Sequence, residues 1–251
     1  MNLELWELVA LAGVGCAAGF VNVMAGGGSL LTMPAMVLML GFSGPEANGT
    51  NRIALLAQNV TSTATFRSKG YSDFRLSLSL ALCAIPGAVL GAYAGAAFEG
   101  VWFNRVLACL MITILIATVW KRPGAIPSKF QVTKNQIIAA HIGMVVVGLY
   151  GGFIQAGVGL VIMPILQRTL GIDMVRVNMH KVFIIGFYTI FALVVFATRG
   201  KVFWMAGLIL ALGNATGGWL ATQMAIEKGE RVVRAVFYVA LIAMAGKLLL
   251  S

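Results

Sequence analysis

Acidic side chains are scarce in this sequence. Eight Asp and Glu stand against eighteen Lys and Arg, and charged residues of both signs make up only 10% of its 251 positions. Soluble domains average about 25% charged, so an ordinary water-soluble domain is excluded. The scarcity of carboxylates also argues against an intramembrane enzyme. Glu46, Asp73, Glu99, Asp173, Glu227 and Glu230 fall in loops or at segment ends, and neither an HExxH nor a GxSxG pattern occurs. Cysteine is equally uninformative for chemistry: Cys16, Cys83 and Cys109 are isolated in apolar runs without a CxxC or metal-ligand spacing. No cofactor and no metal is therefore expected. The glycine run near the N-terminus lacks the GK[ST] ending of an ATP-binding loop. Glu4 and Glu7 stand where a cleavable signal peptide would carry positive charge, so the start is read as the first helix.

Apolar residues are abundant, at 60% of the chain with a mean hydropathy of +0.93. Crossing roughly 30 Å of hydrocarbon takes about 20 helical residues. Stretches of that length are read at about 3–25, 48–66, 74–97, 102–120, 135–156, 177–198, 202–225 and 232–250, with two shorter ones at about 28–41 and 158–171. These imply an all-α polytopic membrane protein. The formal charge of +10 does not indicate nucleic acid, because the cations form small clusters between apolar segments, as the positive-inside rule arranges them.

The sequence repeats. "GGSLLTMPAMVLMLG" (27–41) lies over "GVGLVIMPILQRTLG" (157–171), pairing Pro34 with Pro164 at an offset of 130 residues that also matches Asn48 to Asn178, Gly70 to Gly200 and Gly87 to Gly217. The expected division is a first repeat over 1–121, a cytoplasmic linker over 122–134 and a second repeat over 135–251. Each half has a Gly/Pro-interrupted segment followed by three spans. Paired interruptions of this kind point to the binding site of a secondary transporter. If each interrupted segment is a re-entrant hairpin, the halves are inverted. One side then holds Arg67, Lys69, Arg75, Lys121, Arg122, Lys129, Lys134, Arg168, Arg176, Lys181, Lys228, Arg231 and Arg234, and the other Arg52, Arg105, Arg199, Lys201 and Lys247, a split of 13 to 5. A parallel arrangement splits them 10 to 8. The larger asymmetry favours inversion, with both termini outside the cytoplasm.

The residues "GFVNVMAGGGSLLTMPAMVLMLGFSGPEANGTNRIALL" (19–56), their echo "GLYGGFIQAGVGLVIMPILQRTLGIDMVRVNMHKVFII" (148–185) and the "KGYSDF" after the second span resemble the sulfite exporter TauE/SafE family, also called the toluene sulfonate uptake permeases. The resemblance covers essentially the whole chain. It implies a transporter of sulfite, sulfonates or related small sulfur anions, coupled to an ion gradient of H+ or Na+, in the plasma or inner membrane. A channel for anions is the alternative. Membrane lipid surrounds such a protein, nucleic acid has no part in it, and a homodimer remains open. One departure is that His180 and Lys181 replace Thr50 and Asn51 in the second half.

Candidate binding residues follow from the interruptions. Broken helices inside a membrane are tolerated where they line protein or a cavity, and helix N-termini bind anions through backbone N–H groups. Gly27, Gly28 and Ser29 in the first break, and Gln155, Gly157 and Gly159 in the second, are expected near substrate, close helix packing being the alternative for such glycines. Pro34 is placed early in its helix, where a missing N–H matters least. Asn48, Thr50, Asn51 and Arg52 open the next span of one half, and Asn178, His180 and Lys181 that of the other. Ionisable groups there suggest function, while Arg52 and Lys181 could also reach the interface as snorkelling cations. His180 could couple proton movement to anion movement, whereas His141 reads as structural. Gln58 and Asn59 offer neutral donors, suited to an oxyanion that must also leave.

Overall fold

The computed structural model describes residues 5–98 and 132–250. They form eight helices: α1 (Leu5–Ala25), α2 (Ser29–Leu40), α3 (Gly44–Ser68), α4 (Phe74–Ala97), α5 (Lys134–Phe153), α6 (Val158–Leu170), α7 (Met174–Thr198) and α8 (Trp204–Leu250). The span expected at about 102–120 lies outside the described residues. α1, α4, α5 and α7 are long and apolar enough to cross a membrane. α3 has the length without the hydropathy, because Asn48, Asn51, Arg52, Gln58 and Asn59 on it are buried inside the bundle. At about 1.5 Å per residue, α2 and α6 reach only about 18 and 20 Å, too short to cross.

Two expectations are corrected. The spans read at about 202–225 and 232–250 are one unbroken helix of 47 residues, α8. The polar stretch "IEKGER" between them has no proline to break the helix. Charge lowered the hydropathy there without ending the helix. Pro34 is also not early: it lies beyond the first turn of α2, as Pro164 does in α6.

The 130-residue offset carries through to the element boundaries. α2 and α6 end at Leu40 and Leu170, α3 and α7 run from Gly44 and Met174 to Ser68 and Thr198, and α4 and α8 begin at Phe74 and Trp204. The stops are chemically alike. Gly41 and Gly171 take φ of 67° and 61°, and Gly70 and Gly200 take 84° and 67°, the left-handed conformation in which glycine ends a helix without a Cβ penalty. Tyr71 N–H donates to Phe66 O and Lys201 N–H to Phe196 O, each at 3.0 Å. Ser43 and Asp173 cap α3 and α7.

Helix pairing is reciprocal between the halves. α1 packs along α8 and α5 along α4, while α3 contacts α8 and α7 contacts α4. The first two interfaces are made by glycine. A Cβ on Gly213 or Gly217 of α8 would overlap Ala12 O or Cys16 O of α1, and one on Gly148 or Gly152 of α5 would overlap Ala84 O or Ala88 O of α4. With no solvent-driven hydrophobic force between helices in lipid, such close backbone approach is what holds them.

Candidate functional site

Both interruptions fall where the sequence places them, and they touch. Gly26, with φ of 85°, follows α1, and Gly159 lies in the first turn of α6. Gly159 N–H donates to Gly26 O at 3.2 Å, and a Cβ on either glycine would overlap the other's backbone. Glycine is required at this crossing because no side chain fits between the two chains. Gln155 enters the second break with φ of 61°, the one described non-glycine residue in that region, a strained conformation of the kind that clusters at ligand sites.

Each break is held by a cation from the other half. Arg52, on α3, donates through Nη2 to Gly151 O at 3.2 Å, to Gly152 O and to Asn48 Oδ1 at 3.3 Å, and through Nη1 to Gln155 Oε1 at 3.3 Å. Its guanidinium lies 4.5 Å from the centroid of the Phe196 ring. Asn48 Nδ2 adds a bond to Phe153 O at 2.7 Å. Lys181, on α7, donates to Asn22 O at 3.0 Å and Val23 O at 2.6 Å, with Met163 Sδ at 3.7 Å. The carbonyl end of a helix carries the negative pole of its dipole, so α5 and α1 both end on a cation. Arg52 and Lys181 are 0% and 1% exposed, which excludes the snorkelling reading.

The other expected residues divide by position. Gly27 O accepts from Leu30 N–H, and Gly157, with φ of 69°, caps α6 and accepts from Leu160 N–H. Gly28 N–H donates to Asn22 Oδ1 at 3.3 Å, so this N–H and that of Gly159 are engaged within the protein. Ser29 Oγ accepts from Asn51 Nδ2 at 3.0 Å, and Asn51 Oδ1 accepts from Thr32 Oγ1 at 2.7 Å. Gln58 accepts from Asn22 Nδ2 at 3.0 Å and donates to Asn59 Oδ1 at 3.5 Å. Thr50 stands apart, accepting from Phe203 N–H at the start of α8. His180 is also apart, with Nδ1 2.8 Å from Ser77 Oγ on α4. Asn178 is buried with neither amide atom partnered, although its counterpart Asn48 is fully engaged.

Three side chains escaped the sequence reading. Asn22 links the first break, Gln58 and Lys181; a lone amide in the apolar run before "AGGG" was the available signal. Tyr188 donates to Gln155 Oε1 at 3.3 Å and Tyr150 donates to Ala156 O, fixing the second break. Nothing in their spacing distinguishes them from packing aromatics.

The site is thus a set of donors with little to accept them. Among the described residues the buried charged groups are Arg52, Lys181 and, when protonated, His180, with no buried Asp or Glu. Arg52 Nε, Gln155 Nε2 and Asn59 Nδ2 are buried N–H donors without a partner. Buried polar groups are ordinarily satisfied; the unmet donors at Arg52, its own Nε and Gln155 Nε2, and Asn59 Nδ2, linked to Lys181 through Gln58 and Asn22, suit an anion with several acceptor oxygens.

The profile of the family described as "Sulfite exporter TauE/SafE" matches residues 11–248. The chain is 28% identical over 233 residues to "Probable membrane transporter protein ORF9" of a Sinorhizobium species, covering 92% of this chain and 88% of that one. It is 27% identical over 241 residues to "Probable membrane transporter protein YfcA" of Escherichia coli, at 94% and 87% coverage. A "Probable membrane transporter protein" of Haemophilus influenzae is 23% identical over 251 residues, at 99% and 96% coverage. No solved structure matches. Repeat, paired breaks and relatives agree, and the chain belongs to the sulfite exporter TauE/SafE family of membrane transporters.

Proposed function

We propose that this transporter carries small sulfur-containing anions, sulfite or sulfonates, by alternating access between two inverted halves, and that the anion binds beside the crossed breaks. The observation that carries the reading is the pair of buried cations, Arg52 and Lys181, one at each break and without a buried carboxylate among the described residues. An uncompensated charge is costly in a membrane interior, and a bound oxyanion would offset it. Gln155, Asn59 and Arg52 Nε supply the unmet donors, with Asn22 and Gln58 hydrogen-bonded on to Asn59. Inversion is supported by the lysine and arginine asymmetry of the sequence and fits the reciprocal pairing of the helices.

Flux of sulfite, thiosulfate and sulfonates in proteoliposomes tests the substrate class. Saturable counterflow of at least one is expected. If none of the three moves along or against a gradient, the substrate class is wrong.

A further inference from the structure

A cavity of about 370 Å³ opens beside the start of α4, walled by Thr63, Arg67, Asp73, Ser77, Met179 and Phe183 among others. At about 30 Å³ per molecule it has room for on the order of ten waters. Ser77 lines it, and Ser77 Oγ lies 2.8 Å from Nδ1 of His180, which is itself 2% exposed. Ser77 belongs to the first half and His180 to the second, so this bond joins the two halves on α4 and α7. The anion cluster uses neither residue.

We infer that His180 is the proton site of the transporter, loaded from the cavity through the Ser77 hydroxyl. The inference rests on the transport reading above. A hydroxyl both donates and accepts. As a cavity hydronium gives its proton to Ser77 Oγ, the original hydroxyl hydrogen passes to Nδ1; water, a neutral serine and an imidazolium result. The charges around the ring are Asp73 at the head of α4 and Arg176 on its own helix, with Arg67 of α3 in the cavity wall; Lys181, the next residue, is turned to the end of α1. A proton gained here changes the charge and the hydrogen-bond direction at an interface between the halves, where it can bias their relative position.

The protein has two histidines, His141 and His180. In the full-length His141→Gln variant, ring-labelled His180 is followed by NMR in lipid nanodiscs over about pH 5 to 9. The ring signal should titrate and Ser77→Ala should displace its midpoint; a ring that does not titrate, or a midpoint indifferent to Ser77, overturns the inference. In proteoliposomes, the ratio of pH-gradient-driven sulfite accumulation to sulfite exchange should fall at least tenfold in His180→Gln and hold in His141→Gln. An unchanged ratio in His180→Gln overturns it. If the wild type moves no sulfite, the substrate reading fails, and the NMR result alone decides the proton site.

Discussion

Arg52 and Lys181 each cap a helix end of the opposite half, and under the proposed function they also supply positive charge to the anion. The functions separate energetically. Removing one buried ammonium forfeits two carbonyl bonds but also relieves its desolvation, and the two effects are of similar size. Lys181→Met should therefore unfold within a few degrees of wild type while sulfite transport falls at least tenfold, read from melting curves and initial rates on the same preparation. Arg52→Lys keeps the charge and loses the fork that reaches Gly151, Asn48 and Gln155 together. Its transport should fall by roughly the same factor, which a purely coulombic role would not produce. Gly28→Val is a poorer probe, since a Cβ at Gly28 would overlap Ala18 O and crowd Asn22, so that packing and transport fail together.

At the scale of the element, stability sits in the glycine seams. Gly217 faces Cys16 O and Phe20 N–H, whereas a Cβ on Gly13, on the same α1, meets nothing within 4 Å. Gly217→Ala should lower stability by about 1–3 kcal/mol through overpacking, and Gly13→Ala should raise it by about 0.5–1 kcal/mol by removing helix-interior glycine. Denaturation of both variants in one detergent checks the pair, and equal effects would place the seams elsewhere. The helices and their offset were legible in the sequence because Gly41, Gly171, Gly70 and Gly200 stop helices by a local requirement for positive φ. The join within α8 was not legible, since a charged stretch lowers hydropathy whether or not the backbone turns. The breaks were legible from Gly and Pro. That Gly159 binds Gly26, or that Lys181 reaches Asn22 and Val23, was not, because contacts between residues more than 130 positions apart leave no local pattern. His180 was legible as a candidate, but its partner Ser77 was an ordinary polar residue in a helix.

Across the whole molecule, the proposed alternating access moves the two halves against each other about the crossing of Gly26 and Gly159. The proposed inversion has a direct consequence for the two equivalent turns. Cysteines introduced at Ser68 and at Arg199, with Cys16, Cys83 and Cys109 replaced, should react with an impermeant maleimide from opposite faces of oriented vesicles, Ser68 from the cytoplasmic one. Labelling of both from one face would make the halves parallel. Whether an oxyanion binds where the two breaks cross is decided by sulfite counterflow in proteoliposomes bearing Asn59→Leu or Gln155→Asn. Asn59→Leu removes an unpartnered buried donor and Gln155→Asn draws one back by a methylene; the acceptors lost with them serve only long bonds, 3.5 Å from Gln58 and 3.3 Å from Arg52 and Tyr188, asparagine tolerates the left-handed conformation at 155, and leucine has as many side-chain heavy atoms as asparagine at 59. Both variants should fold with near-native melting temperatures and lose at least tenfold in counterflow. Wild-type counterflow in both would place the anion elsewhere.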